Sequence, residues 1–400
     1  MKYSLKLLIV CMFFFYGFSY LDILNEISYK LKLVFVVLIF LHFILGVVKN
    51  GLNKRLFLRP GIWVFLCVFN ILGLMSSLFS DYLIESLFTL IGLNMYFYIF
   101  YSLSNKLIRD QREFIWLNNV VIITSFINCL IGLFGNFGIL VQQYHSLYVG
   151  RTRIFGLFEH PNYLGAIAFV SLVACFINLN MVNKSKKIRY YVMIIFFIIC
   201  MILSDSRGGL YSLFIFLGIY YLGILIIKVQ NKYLKLFIQT FSVVSLFTIT
   251  ILYLNIINLS SGTIDNWTSG RIGNWAYIFE EKIASKITWL LFGQGLSSGS
   301  GGSLLNIGIN TDNGFLVWIY QTGILGLIVV LWLLLYMGFK ILNSRLTIRK
   351  VVLFGVFMSF VIYNFVENLL MNMGMIISLY SWLVLFILVH DENNIRWFNK

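Results

Sequence analysis

Residues 151–180, RTRIFGLFEHPNYLGAIAFVSLVACFINLN, contain both features that decide the fold of this chain. From Asn162 onward the segment is an apolar run that is long enough to cross a bilayer as a helix, which takes about 20 residues. Just before that run it carries two arginines, a carboxylate and an imidazole, with Pro161 at the boundary. The segment therefore predicts a membrane-spanning helix with a charged cluster at its mouth.

Apolar runs of this kind recur along the whole 400-residue chain. Hydrophobic residues make up 60% of it and charged residues only 11%, whereas a soluble protein carries about 25% charged residues. We therefore predict an all-α polytopic membrane protein, a single integral membrane domain over 1–400 with about 12 transmembrane helices. The predicted spans are 5–24, 31–48, 61–80, 83–103, 114–137, 162–181, 188–204, 208–227, 236–257, 313–338, 351–369 and 372–389. The span 313–338 is long enough to tilt.

The basic residues between these spans orient the predicted bundle. With a cytoplasmic N-terminus, most of the 30 lysines and arginines fall in inside segments, and most acidic residues fall outside. Positive charge on cytoplasmic loops is the usual arrangement, so both termini are predicted to be cytoplasmic. The net charge of +15 then reflects this topology and contact with anionic membrane lipids, and it requires no nucleic acid partner.

Two connections, 138–161 and 258–312, are predicted to lie outside and to be long enough to carry function. The second predicts an amphipathic helix with Ser269 as its N-cap and an apolar stripe at helical spacing. The stripe consists of Ile272, Trp275, Phe279, Ile283 and Leu290. Such a helix fits either the surface of the outer leaflet or the end of the helical bundle. The glycine-rich segment 293–303 that follows predicts a hinge, or backbone amides that approach a ligand.

Arginines at or near the outer ends of spans are the candidate ligands of an anion. They are Arg151, Arg153, Arg207 and Arg271. Arginine binds phosphate oxygens with two parallel donors, whereas lysine supplies only a point charge. We expect Arg153 and Arg271 to converge on one phosphate-bearing ligand, with Arg151 as a helper. Arg207 either joins them or pairs locally with Asp205.

Three carboxylates, Asp312, Glu159 and Glu367, are the candidate catalytic groups. A carboxylate in an apolar, partly dry site can act as a general base towards a sugar hydroxyl. Asp312 has an alternative role as the N-cap of the span that follows it, since aspartate is a favoured N-cap residue.

The remaining residues of the opening motif are predicted to be structural at the site. His160 is expected to form a hydrogen bond that shapes the turn before Pro161 and Asn162. All five cysteines fall within predicted spans, and no metal-ligand spacing is present. The sequence therefore predicts no disulfide framework, no metal and no cofactor.

Four stretches, taken in order, resemble the O-antigen ligase/polymerase superfamily, which includes the Wzy-type polymerases of polysaccharide repeat units. They are 153–165, then 204–209, then 269–275 with 292–295, and finally 312–316 with 323–326. Each motif is modest alone, but all four are placed on the outside by the independent charge argument.

This resemblance implies a metal-independent glycosyltransferase of the bacterial cytoplasmic membrane. Its donor would be an oligosaccharide on undecaprenyl diphosphate, and its acceptor a sugar hydroxyl of another such unit, as in capsule, exopolysaccharide or O-antigen synthesis. The family's diphosphate-holding arginines fall on Arg153 and Arg271, with Arg207 in second place. The family's ligases usually have histidine where this chain has Asp312, which favours a polymerase with Asp312 as base. A chain-length regulator is a further expected partner.

Two other functions fit the sequence. A ligase would transfer the finished glycan to a different acceptor. A flippase for the lipid-linked oligosaccharide would also need many spans and a cationic cavity, but its arginines should lie near the bilayer midplane on several spans. Here they cluster at the outer boundary beside a long loop, which favours an enzyme.

Overall fold

The computed structural model describes residues 3–50, 60–107, 111–134, 143–145, 152–154, 156–229, 271–297, 312–342 and 348–390. The helices in these ranges are α1 Tyr3–Phe18, α2 Asn25–Asn50, α3 Pro60–Leu78, α4 Leu83–Leu107, α5 Gln111–Phe134, α6 Pro161–Leu179, α7 Lys187–Ser204, α8 Arg207–Lys228, α9 Arg271–Tyr277, α10 Ile287–Phe292, α11 Gly314–Leu342, α12 Ile348–Val366 and α13 Ile376–His390. Short 3-10 turns lie at Asp22–Leu24 and Lys184–Lys186, and a π turn, Ile278–Ile283, follows α9. The strands β1 Gln143–His145 and β2 Thr152–Ile154 form one antiparallel pair.

Apolar helices dominate the described part of the chain. Seven of them, α2, α4, α5, α6, α7, α8 and α11, are long and apolar enough to cross a membrane. Four shorter apolar helices, α1, α3, α12 and α13, accompany them. The predicted helical, multi-pass membrane class is therefore confirmed. The predicted span 236–257 lies outside the described residues, and the count of twelve spans and their orientation stay predictions.

The stretch quoted first provides the central helix of the bundle. Helix α6 packs against α5, α7, α8 and α13, and 83% of its residues are buried inside the protein. Small residues on its surface allow this close packing, as at Gly165, where an added Cβ would overlap the Ser206 side chain. A span that is surrounded by protein on most sides can hold polar residues at its end in a fixed position.

One end of the bundle collects the polar residues that begin or end several helices. The backbone amide of Asp22 donates to the carbonyl of Leu157 at 3.0 Å, and the amide of Glu159 donates to the carbonyl of Tyr20 at 3.0 Å. These two bonds join the α1–α2 turn to the segment before α6. The starts of α8 and α11 and the end of α12 lie at the same end. We call it the Pro161 end.

Helix α11 is broken at Gly323, which adopts φ 70° and ψ −177° inside the apolar run. The break frees the carbonyls of Tyr320 and Gln321, which accept hydrogen bonds from the amides of Gln294 at 2.9 Å and Gly295 at 3.1 Å. The predicted span 313–338 is therefore long because it contains two helices. The amides that were expected to approach a ligand are, at these two positions, bonded to α11.

Glycine is required on both sides of this contact because the two backbones touch. A Cβ on Gly323 would overlap the carbonyl oxygen of Leu291, and a Cβ on Gly293 would overlap the backbone of Gln321. The backbone conformation of Gly323 is also open almost only to glycine.

Replacing Gly323 by alanine should therefore lower the free energy of unfolding by about 2 kcal/mol, through strain and overlap. Thermal unfolding of the purified protein in detergent would measure this as a lower melting temperature. Gly92→Ala in α4 is the matched control, because no heavy atom lies within 4 Å of its added Cβ. Alanine there favours the helix, so stability should stay level or rise slightly. Equal melting temperatures for the two variants would contradict the contact between α11 and the 293–295 loop.

Candidate functional site

His160 and Pro161 set the start of α6 at the Pro161 end. His160 is the N-cap residue in an extended conformation, and its Nδ1 accepts a hydrogen bond from the Asn162 amide at 3.1 Å. Pro161 occupies the first helical position, where its missing amide hydrogen has no helical partner to lose. The turn is therefore rigid, and it presents the Asn162 side chain towards α12.

The centre of the site is a charged group that we call the Arg271 cluster, made of Arg271, Asp312 and Glu367. Arg271 Nη2 lies 3.1 Å from Asp312 Oδ2 and 3.6 Å from Glu367 Oε1. The three side chains are 23%, 30% and 15% exposed, so water screens their charges only partly. Three residues from distant parts of the sequence, each predicted as a site residue, thus lie together.

A backbone carbonyl completes the surroundings of the guanidinium. Arg271 Nη1 donates to the oxygen of Val366 at 2.7 Å. Val366 is the last residue of α12, where carbonyls lack helical partners and the helix dipole favours a cation. One side of the guanidinium is thus bonded to a helix end, while the other side faces the two carboxylates.

Asn313, not Asp312, caps helix α11. Its Oδ1 accepts from the amides of Phe315 and Leu316, each at 3.0 Å. Asp312 lies one residue earlier, and its carboxylate bonds to Arg271. The alternative that Asp312 serves as the helix cap is therefore removed, and its catalytic role stays a prediction.

The start of α11 and the end of α12 are bonded directly to each other. The amide of Gly314 donates to the carbonyl of Glu367 at 3.1 Å. A Cβ on Gly314 would come within 2.8 Å of Asn364 Oδ1, so glycine allows this approach. The Asp312-Asn313-Gly314 sequence thus combines a charged ligand, a cap and a close contact in three consecutive residues.

Asn162 connects the opening motif to the Arg271 cluster. Its Nδ2 donates to Glu367 Oε1 at 2.5 Å. Glu367 Oε1 therefore receives both the Asn162 amide and the Arg271 guanidinium. The carboxylate of Glu367 is thus the point at which four parts of the chain meet. They are the start of α6, the start of α9, the residues just before α11 and the end of α12.

The connection 367–375 between α12 and α13 is not helical, and its residues are buried or half-buried. Its carbonyls accept hydrogen bonds from side chains: Leu370 from Trp382 Nε1 at 2.6 Å, Met373 from the Tyr16 hydroxyl at 2.7 Å, and Leu369 from Ser378. Irregular backbone at membrane depth is tolerated only where it is buried in protein and satisfied in this way. These bonds fix the segment that begins with Glu367.

Lys32 lies at the same end of the bundle, although it is not among the site residues predicted from the sequence. It is 3% exposed, and its Nζ donates to the Gly374 carbonyl at 3.1 Å and to Ser19 Oγ at 3.2 Å. The ammonium also lies 4.4 Å from the Tyr29 ring centroid and 5.1 Å from that of Tyr16. Its position inside the predicted span 31–48 was the available signal, because ionisable residues within spans usually have a role.

Glu159 faces the α1–α2 turn instead of the Arg271 cluster. Its carboxylate accepts a hydrogen bond from Asn25, and its backbone amide bonds to Tyr20. Partial burial and the charge of Asp22 raise the pKa of Glu159, whereas the hydrogen bond from Asn25 lowers it. The contacts described for Glu159 therefore set it apart from Asp312 and Glu367, although all three were predicted as catalytic.

The other predicted arginines are described to different extents. Arg207 is the first residue of α8, and a Cβ on the next residue, Gly208, would come within 2.9 Å of the Val366 side chain. Arg207 therefore begins α8 beside the residue that accepts from Arg271. Arg153 lies in β2, where its backbone pairs with Tyr144, and its side chain is outside the described part of the structure, as is all of Arg151. The convergence of Arg153 with Arg271 stays a prediction.

The predicted amphipathic helix consists of α9, the π turn and α10. Ile278 and Ile283 are buried against Leu316 and Tyr320 of α11, so this part packs over the end of the bundle. Phe279, which belongs to the predicted apolar stripe, is exposed and does not share the buried face. The π turn is the reason, because its wider spacing, seen in the Ala284 amide bonding to the Phe279 carbonyl at 2.8 Å, shifts the buried face to Ile278.

The sequence matches no protein-family model and no curated protein. The resemblance of its four stretches therefore stays a prediction that rests on their residues.

The roles of the two neighbouring residues before α11 can be separated by mutation. Asn313→Ala removes the cap and should lower the free energy of unfolding by about 1 kcal/mol. Asp312→Asn keeps the cap and removes one partly exposed ion pair, which should cost about 0.5 kcal/mol or less. Thermal unfolding in detergent compares the two variants with wild type. A larger loss for Asp312→Asn than for Asn313→Ala would contradict this assignment.

Proposed function

We propose that this protein is a glycosyltransferase that polymerises oligosaccharide repeat units carried on undecaprenyl diphosphate, on the outer face of a bacterial cytoplasmic membrane. The observation that carries the proposal is the Arg271 cluster, an arginine fork beside two carboxylates at one end of a bundle of apolar helices. Transfer from a lipid diphosphate needs a cation for the departing phosphates and a base for the attacking hydroxyl. The cluster offers both within one partly shielded site.

In the proposed reaction, a sugar hydroxyl oxygen of the acceptor attacks the anomeric carbon of the donor sugar. The bond from that carbon to the diphosphate oxygen breaks, and undecaprenyl diphosphate leaves with the bonding electrons. The acceptor's proton passes to a carboxylate, for which we assign Asp312, the more exposed of the two. Arg271, with Arg207 and Arg153 as further candidates, stabilises the negative charge that builds on the diphosphate.

Ligation to a different acceptor uses the same chemistry and is the alternative within the enzyme class. Transport of the lipid-linked oligosaccharide is the alternative of another class, and the broken helix α11 is a feature that transporters share. The carbonyls at this break are, however, bonded to Gln294 and Gly295, and Ser76 near the end of α3 also donates to Gln321. The break therefore lies near a helix end and is closed by protein, which supports transfer over transport.

Deletion of the gene in its host separates these functions on a gel of the surface glycan. Loss of a polymerase should leave single repeat units at the surface in place of a ladder. Full-length polymer that stays on its lipid carrier would instead indicate a ligase. The absence of any repeat unit from the outer face would indicate a flippase, and an unchanged ladder would overturn the proposal.

Arg271→Lys tests the role of the guanidinium without removing the positive charge. Lysine cannot form the same pair of parallel hydrogen bonds, so polymer yield should fall by about tenfold or more, since each 1.4 kcal/mol lost corresponds to a factor of ten. Arg189→Lys is the matched control, because Arg189 lies beside Tyr190 at the start of α7, the opposite end of the bundle. Membrane abundance of both variants must match wild type. A wild-type ladder in Arg271→Lys would count against a diphosphate site at Arg271.

A further inference from the structure

We propose that Arg271 exchanges partners during the reaction: without donor it pairs with Asp312 and Glu367, and the donor's diphosphate then takes the guanidinium away from them. Asp312 thereby becomes able to accept a proton only when donor is bound. Glu367 is the positioning carboxylate, which stays ionised because Asn162 continues to hold it. The inference rests on the proposed function and deepens it, since it assigns different roles to two carboxylates and an order to the steps.

The two sides of the guanidinium make such an exchange possible. Nη1 is bonded to the Val366 carbonyl at 2.7 Å, a backbone group that remains in place when a ligand binds. Nη2 faces the carboxylates at 3.1 and 3.6 Å, and the second distance exceeds that of a good hydrogen bond. Arg271 can therefore rotate about its contact with Val366, and only the side that faces the carboxylates must change partner.

The two carboxylates differ in how well they are held when Arg271 leaves. Glu367 keeps the hydrogen bond from Asn162 at 2.5 Å, and its backbone carbonyl keeps the Gly314 amide at 3.1 Å. For the Asp312 side chain, Arg271 is the partner that the described residues provide. Donation from Asn162 favours the ionised form of Glu367, whereas Asp312 loses its stabilising cation.

The departure of the guanidinium changes the chemistry of Asp312. Two carboxylates that share one guanidinium nitrogen are left close together, and like charges at short range raise the proton affinity of one of them. Among the described residues no amide donor remains for Asp312, so Asp312 accepts the acceptor's hydroxyl proton as the sugar oxygen attacks. Before donor binds, the carboxylate of Asp312 is engaged by Arg271, which limits activation of an acceptor hydroxyl or of water when no donor is present.

A different role for the carboxylates predicts the opposite effect on donor binding. If Asp312 and Glu367 only hold Arg271 in the orientation that binds diphosphate, their neutralisation should weaken binding. If they compete with diphosphate for Arg271, their neutralisation should strengthen it. The sign of the change in affinity therefore separates the two roles.

The experiment titrates undecaprenyl diphosphate into wild type, Asp312→Asn and Glu367→Gln, each purified in nanodiscs of uncharged lipid. Both variants should bind about two- to threefold more tightly, which corresponds to the removal of one partly exposed ion pair. Glu26→Gln is the charge-matched control, because Glu26 forms an exposed pair with Lys30 at 2.7 Å at the start of α2. Its affinity should match that of wild type.

Affinity that is unchanged or weaker in both carboxylate variants would overturn the exchange and leave the proposed function standing. Tighter binding in Glu26→Gln as well would also overturn it, since a general loss of negative charge would then explain the effect. Absence of saturable binding to wild type would overturn the proposed function itself. If Glu367→Gln does not fold, the affinity of Asp312→Asn alone shows whether binding becomes tighter or weaker. This variant should fold, because Asn313 and Gly314 keep their contacts in it.

Discussion

Backbone polar groups inside an apolar bundle must find hydrogen-bond partners within the protein, and this requirement shapes the site. The connection 367–375 is irregular, and it begins with Glu367, which lies beside Arg271. Its carbonyls are satisfied by side chains of distant helices, among them Tyr16 of α1, Lys32 of α2 and Trp382 of α13. The position of the Glu367 carboxylate therefore depends on helices from both ends of the chain. Replacing any of these donors should shift Glu367 relative to Arg271.

Close backbone contacts explain most of the small residues in the four motifs. Gly165 accommodates Ser206, Gly314 approaches Asn364, and Gly323 lies against Leu291. Each contact joins one motif to another or to the segment beside it, so these glycines are needed for the motifs to assemble. The charged residues between them, Arg271 and Asp312, bond to each other across that assembly. Within each short motif, the glycines thus provide the close packing and the charged residues provide the proposed chemistry.

The architecture was largely predictable from the sequence because apolar length alone predicts helices in a membrane. The site was predictable only in part, since periodicity does not show which of several polar residues meet. Arg271, Asp312 and Glu367 were each identifiable as costly charges near span ends, but their contact depends on the fold of 367–375. Asn313 as the cap could not be distinguished from Asp312, since both residue types cap helices well. The burial of Ile278 in place of Phe279 follows from a π turn, which carries no clear sequence signal.

Two cations of the Pro161 end, Lys32 and Arg271, differ in a way that bears on their roles. Lys32 is almost fully enclosed, its hydrogen bonds go to a hydroxyl and a carbonyl beside two aromatic rings, and the charge of Glu159 also acts on it. An anion that reached it would have to displace packed structure. Arg271 is partly exposed, and the two carboxylates that pair with it can be replaced, charge for charge, by a diphosphate. Lys32 therefore fits the role of a fixed support for 367–375, and Arg271 is the cation that an incoming phosphate can engage.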